Sequence, residues 1–174
     1  MRWQFASDGA PILTIPDDLP DLVARDPISN IEYPLQRMAP NDSHKTLGHY
    51  KEPSGTQKDQ ANQLKQTSQE AVEFLAKNPI TRVEAWTFYT ACFIPKLCYP
   101  LPLCHFKESE LQDIQRPAMS LIMPRCGYNR HTKREVLYGP LKLGGAGFYE
   151  LYDQQGMGQV QTFMKHWRTD SVAG

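Results

Sequence analysis

The sequence has no apolar run near the ~20 residues that a membrane-spanning helix needs. Its start, MRWQFASDGAP, lacks the apolar stretch of a secretory leader. Net charge is also missing: 19 Lys+Arg offset 19 Asp+Glu. That balance excludes a polyacidic or polybasic tail protein but leaves room for local asymmetry. Cysteine is sparse, with Cys92, Cys98, Cys104 and Cys126 as the full set. Together these absences imply an intracellular product, nuclear or cytoplasmic, with no membrane partner and with its thiols reduced. Apolar residues reach only 40%, just under the ~45–50% of an average domain, so a core is expected but not a generous one.

What the chain does have is proline, 14 in 174 residues, above the usual ~5%. Seven of these precede residue 54, too many for any helix there beyond a turn or two. Short β-like runs lie between them at Trp3–Phe5, Ile12–Ile15, Ile28–Leu35 and Thr46–Tyr50. Charge is divided along the chain. Residues 1–44 hold three basic and seven acidic groups, and the rest hold 16 basic and 12 acidic ones, a net of −4 against +4.

From Ser54 the period turns helical. Ala61, Leu64, Ser68, Ala71 and Leu75 form one stripe at steps of three and four, with Gln and Lys covering the other face. Asn78-Pro79 predicts the end of this helix. Thr81 and Glu84 form a capping box for a second helix that is apolar nearly all round, through Val83, Trp86, Phe88, Tyr89, Cys92 and Phe93. The stretch IPKLCYPLPLC, with three prolines, predicts a turn or extended chain. A third helix is expected over Glu108 to Ile122, with Leu111, Ile114, Met119 and Ile122 inward, Pro117 as a kink and Gly127 beyond its end. A helical turn near Lys133–Leu137 follows, then the loop GPLKLGGAG. A last helix from Glu150 to Arg168 places Met157, Val160, Phe163, Met164 and Trp167 on one face. The expected fold is mostly α: a helical bundle preceded by a short, irregular β-hairpin region. Its divisions are residues 1–53, 54–124 and 125–174.

Familiar chemistries find little support. Zinc ligands usually come in pairs two to four residues apart, whereas Cys92, Cys98 and Cys104 step by six, Cys126 is far beyond, and Cys104-His105 are adjacent. Thiols packed on apolar helices are the better account. There is no Gly-x-Ser-x-Gly elbow, and GPLKLGGAG matches neither a dinucleotide fingerprint nor a phosphate loop. It reads instead as a tight loop needing positive φ at Gly144 or Gly145. Asp17-Asp18, between prolines, reads as a solvated turn. The segment PRCGYNRHTKREVLYGPLK stands apart. Arg125, Arg130, Lys133, Arg134 and Lys142 are countered only by Glu135, with Tyr128 and Tyr138 interleaved. Clustered cations neutralise phosphates and aromatics stack on bases. On composition alone, a solvated basic face is the simpler account.

The ordered set YPLP, IQRPAMSLIMPRCGYNR, YGPLKLGGAG and the closing helix resembles one stretch of the reverse transcriptases of non-LTR, LINE-like retrotransposons. These are RNA-directed DNA polymerases. The stretch is the edge of the palm, the thumb helices and the connector beyond, and it covers nearly all of the chain. The resemblance implies that residues 1–53 form a palm edge, 54–124 a thumb and 125–174 a connector. Thr46-Leu47-Gly48 would be the hairpin steadying the primer end, with Lys45 beside it. Lys58, Gln63, Lys65 and Gln66 would face a template–primer duplex, and Arg125, Arg130, Lys133, Arg134 and Lys142 would track its backbone. Lys107 departs from the family in standing where relatives often have a capping hydroxyl, and Thr132-Lys133 replaces a proline-containing turn.

Such polymerases hold two magnesium ions on carboxylates that include an aromatic-x-Asp-Asp turn. That turn does not occur in this sequence. The implied part therefore has no catalytic residue, metal or cofactor of its own, and the palm strands are expected upstream of Met1. Its implied partners are RNA or an RNA–DNA duplex, held weakly and salt-dependently, and an upstream palm domain. A structural or protein-interaction remnant without nucleic-acid affinity is the alternative. An independent enzyme would require Cys126, His131 and a carboxylate to meet in a closed pocket.

Overall fold

The computed structural model describes residues 2–5, 11–14, 22–35, 39 and 42–169. The chain separates into two compact units, Met1–Lys58 and Asp59–Gly174. The fold is mostly α, with short antiparallel β-hairpins preceding the helices.

Three two-stranded hairpins make up the described part of the first unit. Strand β1 (Arg2–Phe5) pairs with β2 (Pro11–Thr14), placing Arg2 opposite Thr14 and Phe5 opposite Pro11. Strand β3 (Leu22–Arg25) pairs with β4 (Glu32–Leu35), and β5 (His44–Thr46) with β6 (His49–Lys51). Two of the expected β-runs are corrected here. The run from Ile28 to Leu35 is a strand only from Glu32. Asp26 folds the residues before it into a turn, its carboxylate accepting from the Ile28 N–H at 3.0 Å and from the Ser29 hydroxyl. Those bonds, the Ser29 hydroxyl first, hold the Asp26 carboxyl below its ordinary range. Similarly, Thr46–Tyr50 is no single strand, because Leu47 (φ 50°) and Gly48 (φ 85°) turn the chain back. Positive φ at both central residues is the twist-compatible two-residue hairpin turn. Ile15 and Asp17-Asp18 lie outside the described residues.

The second unit is helical. Helix α1 (Lys58–Lys77) buries Gln60, Leu64, Ser68, Ala71 and Leu75, with Ala61 packed half-buried beside them. It stops at Asn78, as the following proline requires. The Thr81–Glu84 capping box forms in full: the Thr81 N–H donates to Glu84 at 2.7 Å, and the Glu84 N–H to the Thr81 hydroxyl at 3.3 Å. It opens α2 (Arg82–Thr87), which runs through a π-helical segment (Phe88–Phe93) into α3 (Ile94–Cys98).

Pro95 accounts for the wide turn. In an α-helix its ring would strike the carbonyl four residues back, and a π-turn relieves such crowding. The Ile94 N–H accordingly reaches Tyr89 O, five residues earlier. The expectation of a turn or extended chain from Ile94 is therefore wrong for its first five residues, and holds from the 3₁₀ turn Leu101–Leu103. Although apolar nearly all round, this helix is not buried on every side: Tyr89 and Phe93 are in the core, while Val83 and Cys92 are exposed.

Helix α4 (Glu108–Arg125) contains Pro117 and Pro124 and runs three residues beyond Ile122. Its Leu111, Ile114, Met119 and Ile122 are buried as expected. At its start Lys107 has no side-chain cap, yet Glu110 still accepts the Lys107 N–H at 2.8 Å, which is half of a capping box. At its end Gly127, at φ 86°, closes a Schellman motif. Tyr128 N–H reaches Met123 O at 2.9 Å and Gly127 N–H reaches Pro124 O at 3.0 Å. The short α5 (Arg134–Leu137) and the long α6 (Leu151–Arg168) follow.

The core gathers around Phe148. Its ring lies 4.8 Å from Tyr89, and edge-on to Trp86 at 5.1 Å and Tyr128 at 5.5 Å, centroid to centroid. Glutamines then pin the irregular chain to the helices. Gln155 of α6 accepts from Phe106 N–H at 3.1 Å and donates to Phe106 O at 3.0 Å. Gln115 of α4 donates to Tyr149 O at 2.7 Å and accepts from Leu151 N–H at 3.4 Å, satisfying the first turn of α6. The Tyr149 N–H donates to the Tyr89 hydroxyl at 2.7 Å.

Candidate nucleic-acid interface

The basic segment begins where α4 ends, and its first cation is already engaged. Arg125 is half-buried. Its Nη2 donates to Leu75 O at 2.6 Å and its Nη1 to Leu121 O at 3.4 Å. A guanidinium at the last turn of α1 satisfies an orphan carbonyl and complements the negative end of the helix. Arg125 thus ties α4 to α1, two of its guanidinium nitrogens already engaged by backbone carbonyls, whereas the sequence reading set it along a phosphate strand.

The next four cations are differently placed. Asn129 starts a turn by accepting the His131 N–H at 2.9 Å on its Oδ1 and the Thr132 N–H and hydroxyl on its carbonyl. Thr132-Lys133, the departure from a proline-containing turn, is therefore held by an Asn-based turn instead. Arg130 and Lys133 project from this turn and are exposed. Arg134, also exposed, leans one nitrogen on Gln112 Oε1 at 3.1 Å. Gln112 is in turn bonded to Glu108 at 2.6 Å and approaches Glu150 at 3.4 Å, so Arg134 sits in a partly acidic setting.

Lys142 stands on the glycine loop, which doubles back over α5. Ala146 N–H donates to Val136 O at 2.7 Å, Gly147 N–H to Gly139 O at 2.9 Å and Phe148 N–H to Leu137 O at 3.1 Å. Two glycines make this possible for different reasons. Gly144 takes positive φ, at 82°. At Gly145 a Cβ would come within 2.1 Å of the Gly139 carbonyl oxygen, so only hydrogen fits. The loop thereby fixes Lys142 on the same local unit as Lys133 and Arg134. Among the described residues Arg130, Lys133 and Lys142 make no ion pair, and the sole Lys/Arg pair is Lys77 with Glu73 at 3.6 Å.

On α1, Lys58, Lys65 and Gln66 are exposed and Gln63 is half-buried, although Gln66 bonds Glu70 at 3.1 Å. In the first unit, Thr46, Leu47 and Gly48 form an exposed hairpin tip. Lys45 lies over the Tyr50 ring, 5.5 Å from its centroid, which is cation–π range.

Other chemistries can be judged against the same geometry. Among the described residues no group of three or more His, Cys, Asp or Glu could hold a metal ion. Cys126 is buried, its thiol pushed up by burial and drawn back by the Arg82 guanidinium, while His131 is exposed. Burial raises Cys98 to about 11 and Cys104 to about 12, which leaves both as poor nucleophiles. No helix among the described residues is long and apolar enough to cross a membrane. No family model, no curated protein and no solved structure matches the chain.

Proposed function

We propose that the chain is the template–primer-holding part of a reverse transcriptase of the non-LTR, LINE-like kind. In this reading the thumb and connector grip nucleic acid, and polymerisation belongs to a palm that must supply the magnesium-binding carboxylates. The observation that carries the reading is the trio Arg130, Lys133 and Lys142: exposed, free of ion pairs among the described residues, and held on a turn and loop braced by α5. Cations so placed can displace counterions from a sugar–phosphate strand without first breaking protein contacts. Arg134 can join them by releasing Gln112, while Arg125 serves the fold. The order of sequence motifs supports the family, and Lys58 and Lys65 extend the same chemistry along α1. The chain alone should not polymerise.

Binding to an RNA–DNA duplex, followed by fluorescence anisotropy across a salt series, tests this reading. Association should weaken steeply with salt. Arg130→Glu, Lys133→Glu and Lys142→Glu together should flatten the log–log slope by about three units, at roughly 0.9 per phosphate contact. Absence of binding at low salt, or a slope untouched by the triple reversal, overturns it. A second reading, a protein-interaction element without nucleic-acid affinity, draws on the exposed apolar side of α6. It is favoured if self-association appears without any binding to the duplex.

A further inference from the structure

Helix α6 has two apolar sides, and the core uses only one. Leu151 and Gln155 are buried, and Gly158 lies close against Pro102. On the opposite side Val160, Phe163 and Trp167 are 61%, 63% and 70% exposed, with Met157 and Met164 flanking them at 49% and 38%. Position along the helix explains the pattern. Asp153, Gly156, Val160, Phe163 and Trp167 are spaced three, four, three and four, the seam spacing of a two-helix coiled coil. Phe163 and Trp167 already stack, their centroids 6.0 Å apart.

We infer that this seam binds α6 of a second copy of the chain, antiparallel, about a two-fold axis near Val160. Three features select that occupant. Charge is polarised along the helix, with Asp153 in its first turn and Lys165 and Arg168 in its last. Asp153 lies on the seam and Arg168 flanks it, so an antiparallel copy brings these opposite charges together at both ends, whereas a parallel one sets Asp153 against Asp153. Bulk is polarised too. Gly156 opens onto empty space, with nothing within 4 Å of where a Cβ would lie, and the bulky Phe163 and Trp167 sit toward the other end. Reversing one copy sets large side chains against the gap, twice, as an isologous interface demands. Finally, with aromatic side chains burying ~150–250 Å² each, the seam offers on the order of 600 Å² per copy. That is near the ~800 Å² a partner contributes to a standard interface.

Sedimentation equilibrium of the full chain over a wide concentration range decides the matter. The wild-type chain should form a dimer and nothing larger. Val160→Asp should weaken it by about 30-fold or more, as expected for a central interface position, with the far-UV circular dichroism unchanged because the side chain points to solvent. Arg168→Glu should weaken it several-fold, and adding Asp153→Lys should restore it. The restoration is informative even if Val160→Asp misfolds. A chain that stays monomeric at every concentration overturns the inference, as does a dimer indifferent to both sets of changes. Sedimentation with anionic vesicles, lost in Val160→Asp, from a chain monomeric in solution would assign the face to a lipid surface and also overturn it.

Discussion

The hairpins of the first unit and the helices of the second hold their shape by different means. Among the described residues every buried hydrophobic one lies between Leu64 and Leu151, in the helical unit. Among the described side chains of residues 22–58 only His49 is buried, and Leu22, Val23, Tyr33 and Leu35 are about half exposed. A two-stranded hairpin with little buried surface depends on its turn and ladder and is marginal alone. A helix gains little from its own propensity and is held by the face it buries. Local sequence therefore decides the first unit, whereas shared packing decides the second.

The sharpest way to test that contrast is to shrink one side chain in each unit. Ile122→Ala removes a fully buried side chain and should cost about 3–4 kcal/mol in urea unfolding followed by circular dichroism. Val23→Ala, at a position 49% exposed, should cost less than about 0.5 kcal/mol. Equal costs would erase the distinction. Next comes the polar clasp. Gln155→Leu keeps the volume but strands the Phe106 N–H and carbonyl in a buried site, with an expected loss of about 2–3 kcal/mol by the same measurement.

Smaller effects follow at helix and hairpin ends. Thr81→Ala should cost about 1 kcal/mol through the lost cap. It should also change the acid limb of the stability profile. The Thr81 backbone N–H first, then its hydroxyl, holds the Glu84 carboxyl below its ordinary value of 4.5. A depressed carboxyl contributes fully above that value, and the contribution is lost as pH falls through the lowered folded pKa. The variant should therefore show a shallower decline below pH 4.5. Leu47→Asn is expected to tighten β5–β6 by roughly 1 kcal/mol, since asparagine tolerates positive φ better than leucine. Slower amide exchange confined to that hairpin would show it. A loss of protection there would mean that Leu47 does more than turn the chain.

Several helices were legible from residues alone because their signals are local. The buried stripe of α1, its stop at Asn78-Pro79 and the Thr81–Glu84 box each need only near neighbours along the chain. The sequence also places the right apolar residues on one face of α6, but burial of that face depends on what covers it, and the other helices of its unit leave it exposed. The candidate interface is split the same way. Lys133 and Lys142 are exposed cations as a basic run suggests, while Arg125 carries the same charge and is consumed by a carbonyl 50 positions away. Gln115 and Gln155 were unreadable for that reason: composition marks glutamine as polar, and only a distant backbone lacking partners makes it a core residue.

Periodicity, proline placement and capping residues thus determined by themselves the class of this protein and most of its helix limits, because backbone sterics and helix-end hydrogen bonding act over three or four residues. Tertiary structure decided the wide turn before Pro95, which of the five clustered cations stay free, and which apolar side of α6 faces water. Those outcomes turn on where remote carbonyls and side chains arrive, and the burial or engagement of a group is a property of its neighbours in space.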